Sequence, residues 1–199
     1  MDSYKYLPDF EIKNSGRIST KFLELGIKSF KEACNYVHRM EYGYNTNYED
    51  DTILFKECKG TCTTKHGVIA LLAKEHDVPL FRYVGIYKFT EEISSGANTI
   101  LEKYKLPFIA MIHCFLVYQQ NRFDLTEGNF NGKNHPIHDF IDTRQVSPNF
   151  SQKDEYLWYK QVLNKKVLPS QEMHGKSEIE ILKARQEGVI LLKDKVKLK

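Results

Sequence analysis

The sequence predicts an α+β domain, and three observations carry that prediction. An apolar stripe at helical spacing runs through residues 20–40. A second apolar, strongly helix-forming stretch at 68–75 follows a knot of small hydroxyl residues. A β-prone run at 108–119 then turns back toward 122–126. Helices first and mostly antiparallel strands after is the order of helices segregated to one side of an antiparallel sheet.

Residues 1–18 read as an irregular lead-in ending at Gly16. One helix is predicted over 20–40, because Phe22, Leu25, Phe30, Ala33, Val37 and Met40 share a stripe and Ser19 or Thr20 can cap it. Residues 42–48, YGYNTNY, form a loop rich in groups that both stack and hydrogen-bond. Residues 59–65, KGTCTTK, are turn and cap chemistry, so the next helix starts close to Cys62 and ends before Pro79. A strand over 79–89 and a more polar helix over 90–104 follow. The run 108–119 is a strand. A short polar turn near Gln119 and Gln120 joins it to a second strand over 122–126, as a hairpin. Residues 128–150 are irregular. Helices are predicted over 154–163 and over 178–187, the latter ending at Gly188, with a last strand over 189–192.

With 199 residues, 41% of them apolar, the chain suits one domain over 1–199. A net charge of +3, from 29 basic and 26 acidic residues, makes no case for nucleic acid. Part of the basic excess lies in residues 193–199, read as a solvated end. No apolar leader opens the sequence and no apolar run reaches the length of about 18 that a membrane span needs. A cytoplasmic location with no membrane partner is the default expectation. The four cysteines are too sparse for a disulfide scaffold and are read as thiols. Cys58 and Cys62 are spaced CxxxC, not the CxxC of redox and zinc motifs.

Cys62 is the cysteine with chemistry. A thiol attacks carbonyls as thiolate, and a helix start offers partial positive charge and unpaired N–H groups that favour that form. Gly60 lets the backbone turn sharply before it, Thr61, Thr63 and Thr64 can cap, and the same N–H groups can form half of an oxyanion hole. The rival reading is a buried, inert cysteine. That reading fits the others better: Cys34 lies in a helical stripe, Cys114 alternates out of phase with His113, and Cys58 lacks a helix start.

His113 sits mid-strand, an odd place for a polar side chain without a partner. Asp124 lies on the next predicted strand. A loop of Gln119 and Gln120 would make the two diagonal neighbours on one face, where a carboxylate fixes the ring tautomer. Taken singly, His113 is a satisfied strand histidine and Asp124 an edge carboxylate. Cysteine, histidine and aspartate in this order form the nucleophile, base and orienter of a triad.

Residues 59–66, KGTCTTKH, with the apolar helix behind them resemble the nucleophile segment of the transglutaminase-like superfamily. Residues 113–118, HCFLVY, and 122–126, RFDLT, resemble its histidine and aspartate strands. The resemblance covers about 20–128, leaving 129–199 as an extension that completes or covers the cleft. It implies a papain-like core, with the cysteine-bearing helix packed on an antiparallel sheet. The implied chemistry is acyl transfer from an amide to Cys62, then to water or an amine, on a peptide, protein or small amide, with no cofactor. Cys62, His113 and Asp124 take the triad roles. Tyr42, Tyr44, Asn45 and Thr61 are candidates for the oxyanion donor or cleft wall. The sequence departs from the family in a tight histidine-to-aspartate spacing and in Cys114, where an aromatic residue commonly follows the histidine.

Two further features compete. His66, one helical turn after Cys62, is either an alternative base or a packing residue. His135, His138 and Asp139 form HxxHD, either a metal-binding segment or loop histidines at a cleft rim. A fold that has lost turnover and serves as a protein- or ligand-binding module is the third alternative.

Overall fold

A computed structural model describes residues 2–197, so the final two residues of the basic tail lie outside it. The elements in chain order are α1 (Arg17–Glu24), α2 (Phe30–Arg39), β1 (Glu41–Tyr42), α3 (Ile53–Glu57), β2 (Lys59–Gly60) and α4 (Cys62–Glu75). Then come β3 (Phe81–Phe89), α5 (Ala97–Tyr104), β4 (Ile109–Tyr118), β5 (Asn121–Phe123), β6 (Asp142–Val146), α6 (Gln152–Val162) and α7 (Glu178–Lys197). The fold is α+β with an antiparallel sheet of strand order β5-β4-β3-β6, and a separate parallel pair of β1 with β2.

The single helix expected over 20–40 is two. Gly26 takes a φ of +76°, and the Gly26 and Ile27 amides donate back to the Leu23 and Phe22 carbonyls, which closes α1 with a Schellman turn. Ser29 and Glu32 then open α2 with a reciprocal capping box: Ser29 Oγ accepts from the Glu32 amide, and Glu32 Oε2 from the Ser29 amide. The hairpin turn forms as expected, but its second strand, expected over 122–126, ends at Phe123, so Asp124 lies beyond the strand. Leu116 pairs with Phe123 and Tyr118 with Asn121, leaving Gln119 and Gln120 as a two-residue turn. Both turn residues have positive φ, the conformation that matches strand twist.

Three further expectations fail. The helix expected over 90–104 begins only at Ala97, after a turn in which Glu91 accepts from the Gly96 and Asn98 amides. Residues 142–146 form an edge strand, though their polar sequence lacks a strand's apolar alternation. Gly188 does not end a helix. α7 runs through it and through 189–192, expected as strand, with Gly188 lying against Ile109 and Met111.

Residue contacts group the chain into two compact units, each built from separate stretches, where the sequence reading has one domain over 1–199. The first contains residues 1–84, 114–129 and 145–151. Its core gathers Phe22, Phe30, Val37, Ile69, Leu72, Leu116 and Phe123, so α1, α2 and α4 bury their apolar faces together with β4 and β5. The second contains residues 85–113, 130–144 and 152–199. There α5 packs on α7, and the buried Tyr159 of α6 donates to the Ala110 carbonyl at 3.0 Å. No helix among the described residues is long and apolar enough to cross a membrane.

Candidate thiol site

Cys62 is the first residue of α4, a helix of 14 residues, and its side chain is half-buried. The start is fixed by a small network. Thr64 Oγ1 accepts from the Thr61 amide at 3.0 Å and donates to Asn45 Oδ1 at 2.8 Å. Asn45 Nδ2 in turn donates to the Lys59 carbonyl at 2.9 Å and to Glu57 at 3.0 Å. Gly60 is required for this: a Cβ there would stand 2.6 Å from Thr64 Oγ1 and 2.9 Å from Leu54. The KGTCTTK segment thus forms the cap expected of it, with Asn45 as its anchor. Asn45 is a candidate oxyanion donor by sequence, but both of its amide-donor contacts go to structural partners, the Glu57 carboxylate and the Lys59 carbonyl.

The sulfur's neighbour is one that sequence reasoning left out. Cys114 of β4 is hydrogen-bonded to Cys62, and its Sγ lies 3.7 Å from Thr63 Oγ1. The Cys114 thiol is held well above the usual range, first by that hydrogen bond to Cys62, then by burial and by negative charge on Cys62. Arg82 of β3 opposes this shift. The guanidinium is 2% exposed and donates to Cys114 Sγ at 3.6 Å and to the Pro148 carbonyl at 2.8 Å. Arg82 and Thr63 also line a small concavity with Tyr48, Asp50 and Phe150. Two sulfurs that share protons in this way titrate as a pair. Cys114 is the member that holds its proton.

Tyr44 is near enough that negative charge on Cys62 raises its phenol, after burial as the larger cause. Its ring meets that of Tyr42 edge to face at 6.3 Å. Thr61 is buried, and its hydroxyl oxygen has no hydrogen-bond partner among the described residues.

Asp124 follows β5 in the first unit. Its Oδ1 accepts from the Thr126 amide at 2.8 Å and from the Thr126 hydroxyl at 2.7 Å, an Asx turn that ends the strand. The same oxygen is 3.3 Å from Nε2 of the fully buried His66. The Leu125 amide donates to that nitrogen at 2.8 Å, so Nε2 carries its lone pair and the approach to Asp124 is a close contact rather than an ion pair. His66 is thereby bound to the strand end. The neighbouring Lys65 is also fully buried and donates to the carbonyls of His38 and Met40 and to Asn129.

His113 belongs to the second unit and is 1% exposed. Lys133 Nζ lies 3.1 Å from its Nδ1, and Tyr87 packs edge-on at 6.4 Å. A lysine ammonium can only donate, which makes Nδ1 an acceptor and leaves the ring proton on Nε2. Among the described residues no group of three or more His, Cys, Asp or Glu is placed to hold a metal ion, so the HxxHD segment does not assemble as one. His135, His138 and Asp139 instead line a concavity with Tyr87, Thr90 and Phe140.

Within the first unit the structure brings Cys62 to Cys114, and Asp124 to His66 and Thr126; within the second it brings His113 to Lys133. Arg82 and Cys114 were missed. The available signal was a charged residue and a second thiol, each within a mainly apolar strand. No family model, curated protein or solved structure matches the chain.

Proposed function

We propose that the chain is a transglutaminase-like thiol enzyme that transfers an acyl group from an amide to Cys62 and then to water or an amine. The observation that carries this is the half-buried Cys62 at the first residue of α4, hydrogen-bonded to the Cys114 thiol. A helix start, a donor thiol and a guanidinium one sulfur away all favour a thiolate on Cys62. The thiolate attacks the amide carbon. The developing oxyanion is held by the backbone N–H groups at the helix start, with the Thr61 hydroxyl or Tyr44 as a side-chain donor. His113 receives and returns the proton for the leaving amine, with Asp124 orienting it. With Nδ1 accepting from Lys133 the ring proton sits on Nε2, so this reading requires the other tautomer in turnover, in which Nδ1–H faces the carboxylate and Nε2 holds the lone pair that takes the proton. Peptides, proteins and small amides are the substrate class.

A binding module that keeps a fold of this kind without turnover is the second reading, favoured by the structural bonds that occupy Asn45 and Asp124. Incubation with iodoacetamide near pH 6, and separately with a p-nitrophenyl acyl ester, followed by mass spectrometry, decides between them. The enzyme reading expects stoichiometric alkylation and an acyl adduct on Cys62, both lost in His113→Ala. Labelling no faster than a free cysteine, with no adduct, establishes the binding module.

A further inference from the structure

We propose that Cys62 and Cys114 are a peroxide-responsive dithiol that closes reversibly into a disulfide. The two sulfurs are within hydrogen-bond reach of each other, one half-buried at a helix start and the other fully buried. That is the arrangement in which an accessible thiolate is oxidised and a protected thiol resolves it. The Thr63 hydroxyl at 3.7 Å keeps the Cys114 sulfur against the first turn of α4. The buried Arg82 guanidinium, 3.6 Å from Cys114 Sγ, has no carboxylate partner among the described residues. A lone buried cation is costly, and a shared thiolate on this pair is the charge that answers it. The other two cysteines are differently placed. Cys34 is buried among the α2 and α4 core residues, and Cys58 is exposed and donates to the Phe55 carbonyl at 3.6 Å.

The chemistry balances with a hydroperoxide as oxidant. The Cys62 thiolate attacks the terminal peroxide oxygen; an S–O bond forms, the O–O bond breaks, and the alkoxide leaves as alcohol after taking a proton. Cys114 then attacks the Cys62 sulfenic acid. An S–S bond forms, and the hydroxyl leaves as water with the Cys114 proton. Two thiols and one hydroperoxide give one disulfide, one alcohol and one water. A dithiol reductant reverses the step by exchange. Closure removes the Cys62 nucleophile, whatever that nucleophile acts on, so this inference is independent of acyl transfer.

The test uses the full chain, reduced and then exposed to one equivalent of cumene hydroperoxide, with non-reducing peptide mapping. The expected result is a Cys62–Cys114 linked peptide, an intact mass lower by two hydrogens, and full reversal by dithiothreitol. In Cys114→Ser, dimedone should instead trap a Cys62 sulfenic acid. Wild-type Cys62 advancing to sulfinic acid with no linked peptide overturns the proposal, as does first oxidation at Cys58 into dimers between chains. The wild-type map is decisive even if the serine variant fails to fold.

Discussion

Arg82 donates from Nη2 to the Cys114 sulfur at 3.6 Å, and Cys114 in turn is hydrogen-bonded to Cys62. Charge at Cys62 is therefore felt by a buried guanidinium two groups away. Arg82→Met keeps length and removes the charge. It should slow alkylation of Cys62 near pH 6 by roughly tenfold, the effect of a shift of about one pKa unit. Arg82→Lys should fall between the two. Rates measured by intact-mass labelling, with circular dichroism confirming the fold, check this. An unchanged rate in a folded Arg82→Met protein would remove Arg82 from the site.

Gly60→Ala tests the helix start. The added methyl meets Thr64 Oγ1 at 2.6 Å and Leu54 at 2.9 Å, so the oxygen that holds the Thr61 amide must move. A lost cap of this kind costs about 0.5–2 kcal/mol. The expected outcome is a lower urea midpoint by that amount together with slower Cys62 labelling. A midpoint and rate equal to wild type would mean the segment shifts without consequence.

The stretch from Cys62 through α4 and the hairpin were legible because their signals are local: hydroxyl caps before an apolar run, and two polar residues between two β-prone runs. The break inside 20–40 was also written locally, as Gly26 and the Ser29-x-x-Glu32 pair, but the continuous apolar stripe outweighed it. The strand at 142–146 and the continuation of α7 through Gly188 depend on tertiary pairing, which no local period encodes. At the site, Cys62 was found by position relative to a cap. Cys114 and Arg82 were not, since strand alternation ranks neighbours along a strand but does not say which helix start they face. The place of His66 at Asp124 has the same cause: residues 66 and 124 are joined only by packing.

Lys65 supplies a pH signature. Burial holds its ammonium down to about 8, against the upward pull of Asp124's negative charge. The unfolded chain binds that proton up to about pH 10.5, so between about 8 and 10.5 it holds more protons than the fold and stability rises with pH. The penalty is fully present below about pH 8 and is at most about 3 kcal/mol. Cys34, its thiol pushed up by burial, works in the opposite direction above the ordinary thiol range. The informative quantity is thus the difference between wild type and Lys65→Met. Urea midpoints from about pH 7.5 to 9.5 should climb more in wild type than in the variant. Parallel curves would contradict the assignment.

Asp124 separates structure from chemistry. Asp124→Asn keeps a side-chain oxygen for the Thr126 amide and hydroxyl, whereas Asp124→Ala loses both bonds. The alanine variant should be less stable by about 1–3 kcal/mol and the asparagine variant by less. If the carboxylate orients a catalytic histidine, Asp124→Asn abolishes acyl-adduct formation on Cys62 while remaining folded. Full adduct formation in the folded asparagine variant would leave Asp124 with the turn alone.

The central claim is that Cys62 titrates together with Cys114 rather than as an isolated thiol, and the rate of Cys62 alkylation against pH measures this most directly. Wild type should show a midpoint well below the ordinary thiol value of about 8.5, and Cys114→Ala should move it upward by about one unit. A wild-type midpoint near 8.5 that is unmoved by Cys114→Ala would contradict the account.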